Sequence, residues 1–110
     1  MKFNTISTTV LTTLCALSAE VSAASCERQN TGIYRYFVKA SGVGDVPGIC
    51  GGLWDNLKRF SNCGASNTYC GGDNGNLEWD FTVGTDCDGG DVQSSWWEAT
   101  SNNYGAINCP

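Results

Sequence analysis

The stretch LEWDFTV at residues 77–83 carries the most regular pattern in the chain, because apolar and polar side chains alternate through all of it. Successive side chains of a β-strand point to opposite faces of a sheet. The alternation therefore predicts a strand with one face in the core and the other in water. Asp73-Asn74-Gly75 comes just before it and is typical of a tight turn. Residues 68–71 are then the preceding strand of a hairpin.

A further strand and a helix precede this hairpin. Residues 33–40 alternate between apolar and polar side chains, which predicts a strand. A helix follows, because apolar side chains recur at steps of four, four and three residues. These side chains are Ile49, Leu53, Leu57 and Phe60. Pro47 suits the first helical turn. Gly51 and Gly52 weaken the helix, which we interpret as room for the close approach of another segment.

The remaining pattern completes an α+β fold. Asp91 predicts the N-cap of a second helix, whose inner side chains are Val92, Trp96 and Ala99. Residues 106–109 predict a last short strand. The order β-α-β-β-α-β is that of the split β-α-β (ferredoxin-like) sandwich, in which two helices cover one face of a four-stranded antiparallel sheet.

Composition excludes several classes of function. The chain has 110 residues, a formal net charge of −5 and no histidine. Its acidic balance argues against nucleic acid as a partner, because nucleic-acid binding depends on clustered Lys and Arg. The absence of histidine excludes Ser–His–Asp and Cys–His nucleophiles and histidine metal sites. One domain is the most that this length holds.

The first residues predict export. Lys2 precedes a mildly apolar stretch, and Val21-Ser22-Ala23 offers the small residues that signal peptidase recognises. We therefore expect residues 1–23 to be a signal peptide, with cleavage after Ala24 as the alternative. Residues 24–110 are then a single secreted, extracellular domain. The apolar stretch is shorter than the ~20 residues of a membrane span, so no membrane span is expected.

The mature chain predicts three disulfides. Six of the seven cysteines follow the signal peptide, and an even number in a short exported chain is typical of a disulfide framework. Zinc is disfavoured because the close thiol pairs of zinc sites are missing. Sequence alone allows many pairings. The expected order of the elements favours Cys26 with Cys109, Cys63 with Cys70, and Cys50 with Cys87.

Two acidic groups are candidates for chemistry. Glu78 and Asp80 lie on the solvent face of the predicted strand, and a pair of carboxylates is what glycosidases use. A solvated strand face explains them better, because so small a domain has little room for a cleft. A small secreted hydrolase remains the alternative, and we expect no catalytic residue. Residues 86–91 crowd three carboxylates but lack the EF-hand spacing, so neither calcium nor another cofactor is expected.

Exposed aromatic side chains are the best candidates for binding. Trp96 and Trp97 are adjacent, and neighbouring residues on a helix point about 100° apart. If Trp96 packs inside, Trp97 lies at the edge or outside, near Tyr104. A half-exposed tryptophan is a common anchor in the recognition of proteins and sugars. A sugar-binding module that uses Trp97 is therefore a further alternative, although the same residue could simply cover a small core.

The order of these features resembles the killer toxins secreted by smut fungi and the cysteine-rich fungal effectors that share their fold. The matching features are an early cysteine before a strand, a cysteine near the start of the first helix, a central hairpin, aromatic residues on the second helix and a terminal cysteine. They are Cys26 before Tyr34-Arg35-Tyr36-Phe37-Val38, then Ile49-Cys50-Gly51-Gly52-Leu53, Trp96-Trp97 and Ile107-Asn108-Cys109-Pro110. The toxin relatives tend to carry a cysteine on the second helix, and residues 98–103 have none.

The resemblance implies a secreted protein without enzymatic activity. Such a protein acts by binding a target in a host or a competitor, either a protein or a component of the cell wall. No active-site residue is carried over, because the resemblance is one of order and spacing and offers none.

Overall fold

The computed structural model describes residues 24–110, so the predicted signal peptide lies outside the described residues. This part of the chain forms four β-strands and two α-helices in the order β-β-α-β-β-α. The elements are β1 (Ser25–Asn30), β2 (Tyr34–Ala40), α1 (Val46–Leu57), β3 (Ser66–Gly71), β4 (Leu77–Val83) and α2 (Gly89–Thr100).

The four strands form one antiparallel sheet in the order β1-β2-β4-β3. Because β2 and β3 both run antiparallel to β4, they run parallel to each other with β4 between them. Helix α1 joins them, which makes β2-α1-β3 a split β-α-β unit. The predicted disulfide-stapled α+β fold, with two helices and a four-stranded antiparallel sheet, is confirmed.

The observed order of the elements differs from the predicted β-α-β-β-α-β in one strand. Residues 106–109 form no strand, and the N-terminal strand β1 occupies the edge beside β2. The backbone N–H of Cys109 donates to Oε1 of Gln93 at 2.9 Å, so this residue bonds to α2 rather than to a neighbouring strand. Sequence alternation missed β1 because its residues are almost all polar, and six consecutive pairs with β2 hold it in place.

One face of the sheet carries the core. Tyr36 pairs with Phe81, and Val38 pairs with Trp79, and all four side chains are essentially fully buried. The opposite face, which we call the open face, carries mostly polar and charged side chains. Its members on β2, β3 and β4 are Arg35, Phe37, Lys39, Tyr69, Glu78, Asp80 and Thr82.

Both helices contribute to the core on the covered face. Trp54 of α1 makes edge-on ring contacts with Trp79 and Phe81. Val92 and Trp96 of α2 are fully buried in the same cluster. The buried side of α1 differs slightly from the predicted one, since Val46 and Cys50 are buried whereas Ile49 is only partly buried. Helix α1 ends at Leu57, so Phe60 of the predicted helix lies beyond it.

Three disulfides connect these elements. Cys26 pairs with Cys109 as predicted. The other two pairings were predicted wrongly, because Cys50 pairs with Cys70 and Cys63 pairs with Cys87. Strand β3 explains the difference. Cys70 lies near the far end of this strand, and the extended chain from Ser66 to Cys70 spans about 13 Å, whereas the two Cα atoms of a disulfide lie within about 7 Å.

Candidate functional site

Helix α2 begins at a capping box. Oδ1 of Asp88 accepts a hydrogen bond from the Asp91 backbone N–H at 3.0 Å, and Oδ2 of Asp91 accepts one from the Asp88 backbone N–H at 3.3 Å. The N-cap is therefore Asp88, and the prediction of Asp91 was wrong by one helical turn. Asp91 instead completes the reciprocal pair that satisfies donors of the first turn.

The two adjacent tryptophans of α2 lie in different environments. Trp96 is fully buried, and its indole Nε1 donates to the Gly105 carbonyl at 2.8 Å. Trp97 is 49% exposed and lies outside the core cluster. The turn of about 100° between neighbouring helical residues accounts for this difference. Trp97 is thus the tryptophan of this helix that is available to a ligand.

Tyr104 makes contacts of its own, separate from Trp97. Its side chain is partly buried against the core, and its hydroxyl accepts a hydrogen bond from the Gly44 backbone N–H at 3.3 Å. Within residues 24–110, no ring-to-ring contact joins Tyr104 to Trp97. Tyr104 instead ties the segment after α2 to the loop before α1.

Trp97 borders a shallow hollow of about 390 Å³ on the outer side of α2. All of its lining residues come from α2 at spacings of three and four, which places them on one helix face. They are Gly90, Gln93, Ser94, Trp97 and Glu98. Gly90 has no side chain to fill the hollow. Its lining therefore combines one large aromatic side chain with an amide, a hydroxyl and a carboxylate.

A second hollow adjoins the first. It measures about 230 Å³ and shares Ser94 and Glu98 with its neighbour. Its other lining residues are Asn56, Arg59, Phe60 and Ser95, so it extends from α2 to the end of α1. We call the two together the Trp97 groove. No sequence pattern indicated this role for Arg59, because a cation at a helix end is accounted for by the helix dipole alone.

Hydrogen bonds hold several polar side chains of the groove. Oε1 of Gln93 accepts from the Cys109 backbone N–H at 2.9 Å. Nη1 of Arg59 donates to Oδ1 of Asn56 at 3.0 Å, and Nδ2 of Asn56 donates to the Gly52 carbonyl at 2.8 Å. In the described part of the chain, neither Arg59 nor Glu98 takes part in an ion pair. Their charges remain available to a ligand.

The predicted carboxylate pair lies on the open face. Asp80 forms an ion pair with Arg35, which also donates to Oγ1 of Thr82 at 2.9 Å and to the Asn67 carbonyl at 3.0 Å. Glu78 stands opposite Lys39 in the register of β2 and β4. Asp80 is therefore committed to Arg35, and that arrangement disfavours a role as one of two free carboxylates at a reaction centre.

One cluster of two cysteines and an aspartate has the composition of a metal site, but its cysteines are oxidised. The sulfur atoms of Cys63 and Cys87 lie within 4.8 Å of a carboxylate oxygen of Asp91. These two cysteines form a disulfide, whereas metal ligation requires thiolates. The Asp91 carboxylate also accepts a hydrogen bond from Nδ2 of Asn62 at 2.9 Å. The cluster is therefore a structural junction between α2 and the loop after α1.

Comparison with known proteins gives no assignment. No protein-family model matches this sequence, no curated protein matches it, and no solved structure matches its fold. Within residues 24–110, neither helix is long and apolar enough to cross a membrane.

Proposed function

We propose that this chain is a secreted, disulfide-stapled binding protein that acts on a host or a competing organism without catalysis. The cysteine-rich fungal effectors and smut-fungus killer toxins that its sequence resembles act in this way. Its recognition surface is the Trp97 groove.

The observation that carries this proposal is the exposure of Trp97. Trp79 and Trp96 are fully buried, and Trp54 packs against the core, whereas Trp97 is 49% exposed beside a hollow. Exposed apolar surface of this size contributes nothing to the core, since the hydrophobic effect rewards only area removed from water. Tryptophan is enriched among the residues that dominate binding. A ligand that covers the indole would recover this contribution.

Three disulfides support an extracellular location. They form and persist in oxidising compartments and are rare where thiols are kept reduced. The predicted signal peptide agrees with this location, and small exported domains depend on such bridges for stability. A non-catalytic role is supported by the commitment of Asp80 to Arg35.

The test uses the full chain expressed in a secreting yeast. We expect the protein in the medium with a new N-terminus at residue 24 or 25. The secreted protein is then labelled and titrated onto intact cells of plant tissue and of competing fungi. Saturable binding is expected to one of them, and Trp97→Ala should weaken it by about tenfold or more, the equivalent of ~1.4 kcal/mol.

Tyr69→Ala is the matched control, because Tyr69 is 50% exposed but lies on the open face of the sheet. This variant should bind like the wild-type protein. Retention of the chain inside the cell would overturn the proposed secretion. Equal loss of binding in both variants, or no loss in Trp97→Ala, would overturn the assignment of the surface.

A further inference from the structure

We infer that the ligand of the Trp97 groove is an oligosaccharide, with one sugar ring stacked on Trp97 and further units lying along α2 toward Arg59. The inference rests on the proposed function and adds the chemical class of the ligand and the residues that bind it.

The first step concerns Trp97. A pyranose ring presents C–H groups on a face, and these form an apolar patch on an otherwise hydrophilic molecule. A half-exposed indole offers a flat apolar surface of matching size together with one N–H donor. Trp97 has such exposure and belongs to no ring cluster of the core. It can therefore take up a sugar ring without disturbing the fold.

The second step concerns the polar side chains around the indole. Sugar hydroxyls both donate and accept hydrogen bonds, so a sugar site needs both kinds of partner. Gln93 supplies the donors, because its Oε1 is occupied by the Cys109 backbone N–H and its amide Nε2 makes no hydrogen bond within residues 24–110. Glu98 supplies carboxylate acceptors, and the hydroxyl of Ser94 can do either.

The third step concerns the length of the ligand. The second hollow continues the first through the shared residues Ser94 and Glu98, and ends at Asn56 and Arg59. The hydrogen bond from Arg59 to Asn56 orients the guanidinium and leaves its other N–H groups free. Two hollows in continuity accommodate more than one sugar unit, so an oligomer should bind more tightly than its monomer.

The lining also argues against a protein as the occupant. The centre of a protein interface is depleted in charged groups and enriched in apolar ones. Here the two residues that both hollows share are a serine and a glutamate, and both residue types are depleted at protein interfaces. The larger hollow, about 390 Å³, falls in the range of small-ligand sites, about 300–1,000 Å³.

The experiment titrates the secreted protein by calorimetry with three soluble series. These are oligomers of N-acetylglucosamine, of β-linked glucose and of galacturonic acid, each from one to six units. Saturable binding that tightens with length is expected for one series. Trp97→Ala should weaken binding of the hexamer about tenfold or more, whereas Trp97→Tyr, which keeps an aromatic face, should retain most of it.

Arg59→Ala distinguishes the contributions of the two hollows, because Arg59 lines only the second one. It should weaken binding of the hexamer more than binding of the dimer. Lys58→Ala is its control, since the adjacent Lys58 pairs with Asp55 and does not line either hollow of the groove. Near-ultraviolet circular dichroism verifies that each variant is folded.

Two results would overturn the inference. One is the absence of saturable binding to all three series, and the other is binding that Trp97→Ala does not change. If the sugars fail but Trp97-dependent binding to cells persists and is abolished by protease treatment of those cells, the target is a protein. In that case the proposed function stands and the oligosaccharide inference is wrong.

Discussion

Ala99 of α2 lies directly against Gly52 of α1, so that a Cβ atom added to Gly52 would be 3.4 Å from the Cβ of Ala99. The neighbouring Gly51 has no atom within 4 Å of such a Cβ. Two consecutive glycines in one helix therefore have different roles. Gly52 allows the two helices to approach closely, and Gly51 is exposed to solvent.

This difference makes leucine substitutions at the two positions a matched pair. Gly52→Leu should lower the free energy of unfolding by about 1–3 kcal/mol, because its side chain would push α2 away from α1. Gly51→Leu should instead raise it by up to about 1 kcal/mol, since leucine favours a helix over glycine. Denaturant unfolding measures both. Equal effects would contradict the helix contact.

The three disulfides should differ in their contributions to stability. In the chain-entropy relation, Cys26–Cys109 closes the longest loop, with a sequence separation of 83, and should contribute about 4.6 kcal/mol. Cys63–Cys87, with a separation of 24, should contribute about 3.5 kcal/mol. Paired alanine variants test this order by denaturant unfolding. Non-reducing peptide mapping checks the pairing, and a peptide that links Cys63 to Cys70 would contradict it.

Stability should fall at alkaline pH because of Tyr36. Burial raises the pKa of its hydroxyl above the ordinary value, and Arg28 offsets part of that rise. An unfolded tyrosine loses its proton near pH 10, whereas the folded protein holds it to higher pH. The contribution of Tyr36 to the free energy of unfolding is therefore fully present below about pH 10. It is lost as the pH rises from there toward the raised pKa of the folded state.

Denaturant unfolding between pH 8 and 11 measures this decline. Tyr36→Phe should flatten it, because phenylalanine cannot ionise. Tyr69→Phe should keep it, because Tyr69 is half exposed on the open face. A decline of the same slope in all three proteins would assign the effect to other groups.

The capping box of α2 gives a prediction that separates two neighbouring aspartates. Asp88→Ala should lower the free energy of unfolding by about 1 kcal/mol, because the Asp91 backbone N–H would lose its acceptor. Asp86→Ala should change it little, since only the backbone carbonyl of Asp86 accepts a hydrogen bond from Asn62. Thermal unfolding of both variants is the measurement. A larger loss for Asp86 would refute the assignment of the cap.

The double variant Glu78→Gln with Asp80→Asn tests the hydrolase alternative. It should retain full binding to target cells and biological activity, because these side chains lie on the open face and not in the Trp97 groove. Its free energy of unfolding should fall by about 1 kcal/mol or less through the lost Arg35–Asp80 ion pair. A folded variant that loses all activity would favour hydrolysis.

Much of the fold follows from local pattern. The alternation in Leu77–Val83 predicted the bounds of β4 and the buried face, because each apolar side chain there packs in the core. Strand β1 could not be predicted in this way. Only Cys26 in it is apolar, and the strand exists because β2 offers a complete row of partners. A strand that is held mainly by pairing with a distant segment needs no alternation of apolar and polar side chains of its own.

The candidate site was predicted only in part for the same reason. The helical rotation between neighbouring residues suffices to place Trp96 and Trp97 on different sides. It does not show that Arg59, from another segment, lines the same hollow as Glu98. The N-cap of α2 was predicted three residues too late, at Asp91 instead of Asp88, because aspartate is a good capping residue at either position. The reciprocal hydrogen bonds between Asp88 and Asp91 exist only when the first helical turn has brought the two residues together.

The bridge between Cys26 and Cys109 joins the two ends of the folded domain, so the backbone between them is a closed ring. A ring that is cut once remains a single molecule. A protease that cleaves one peptide bond anywhere between these two cysteines therefore releases no fragment while the bridge is intact. Release of a fragment from this ring requires either a second cut or reduction of the bridge.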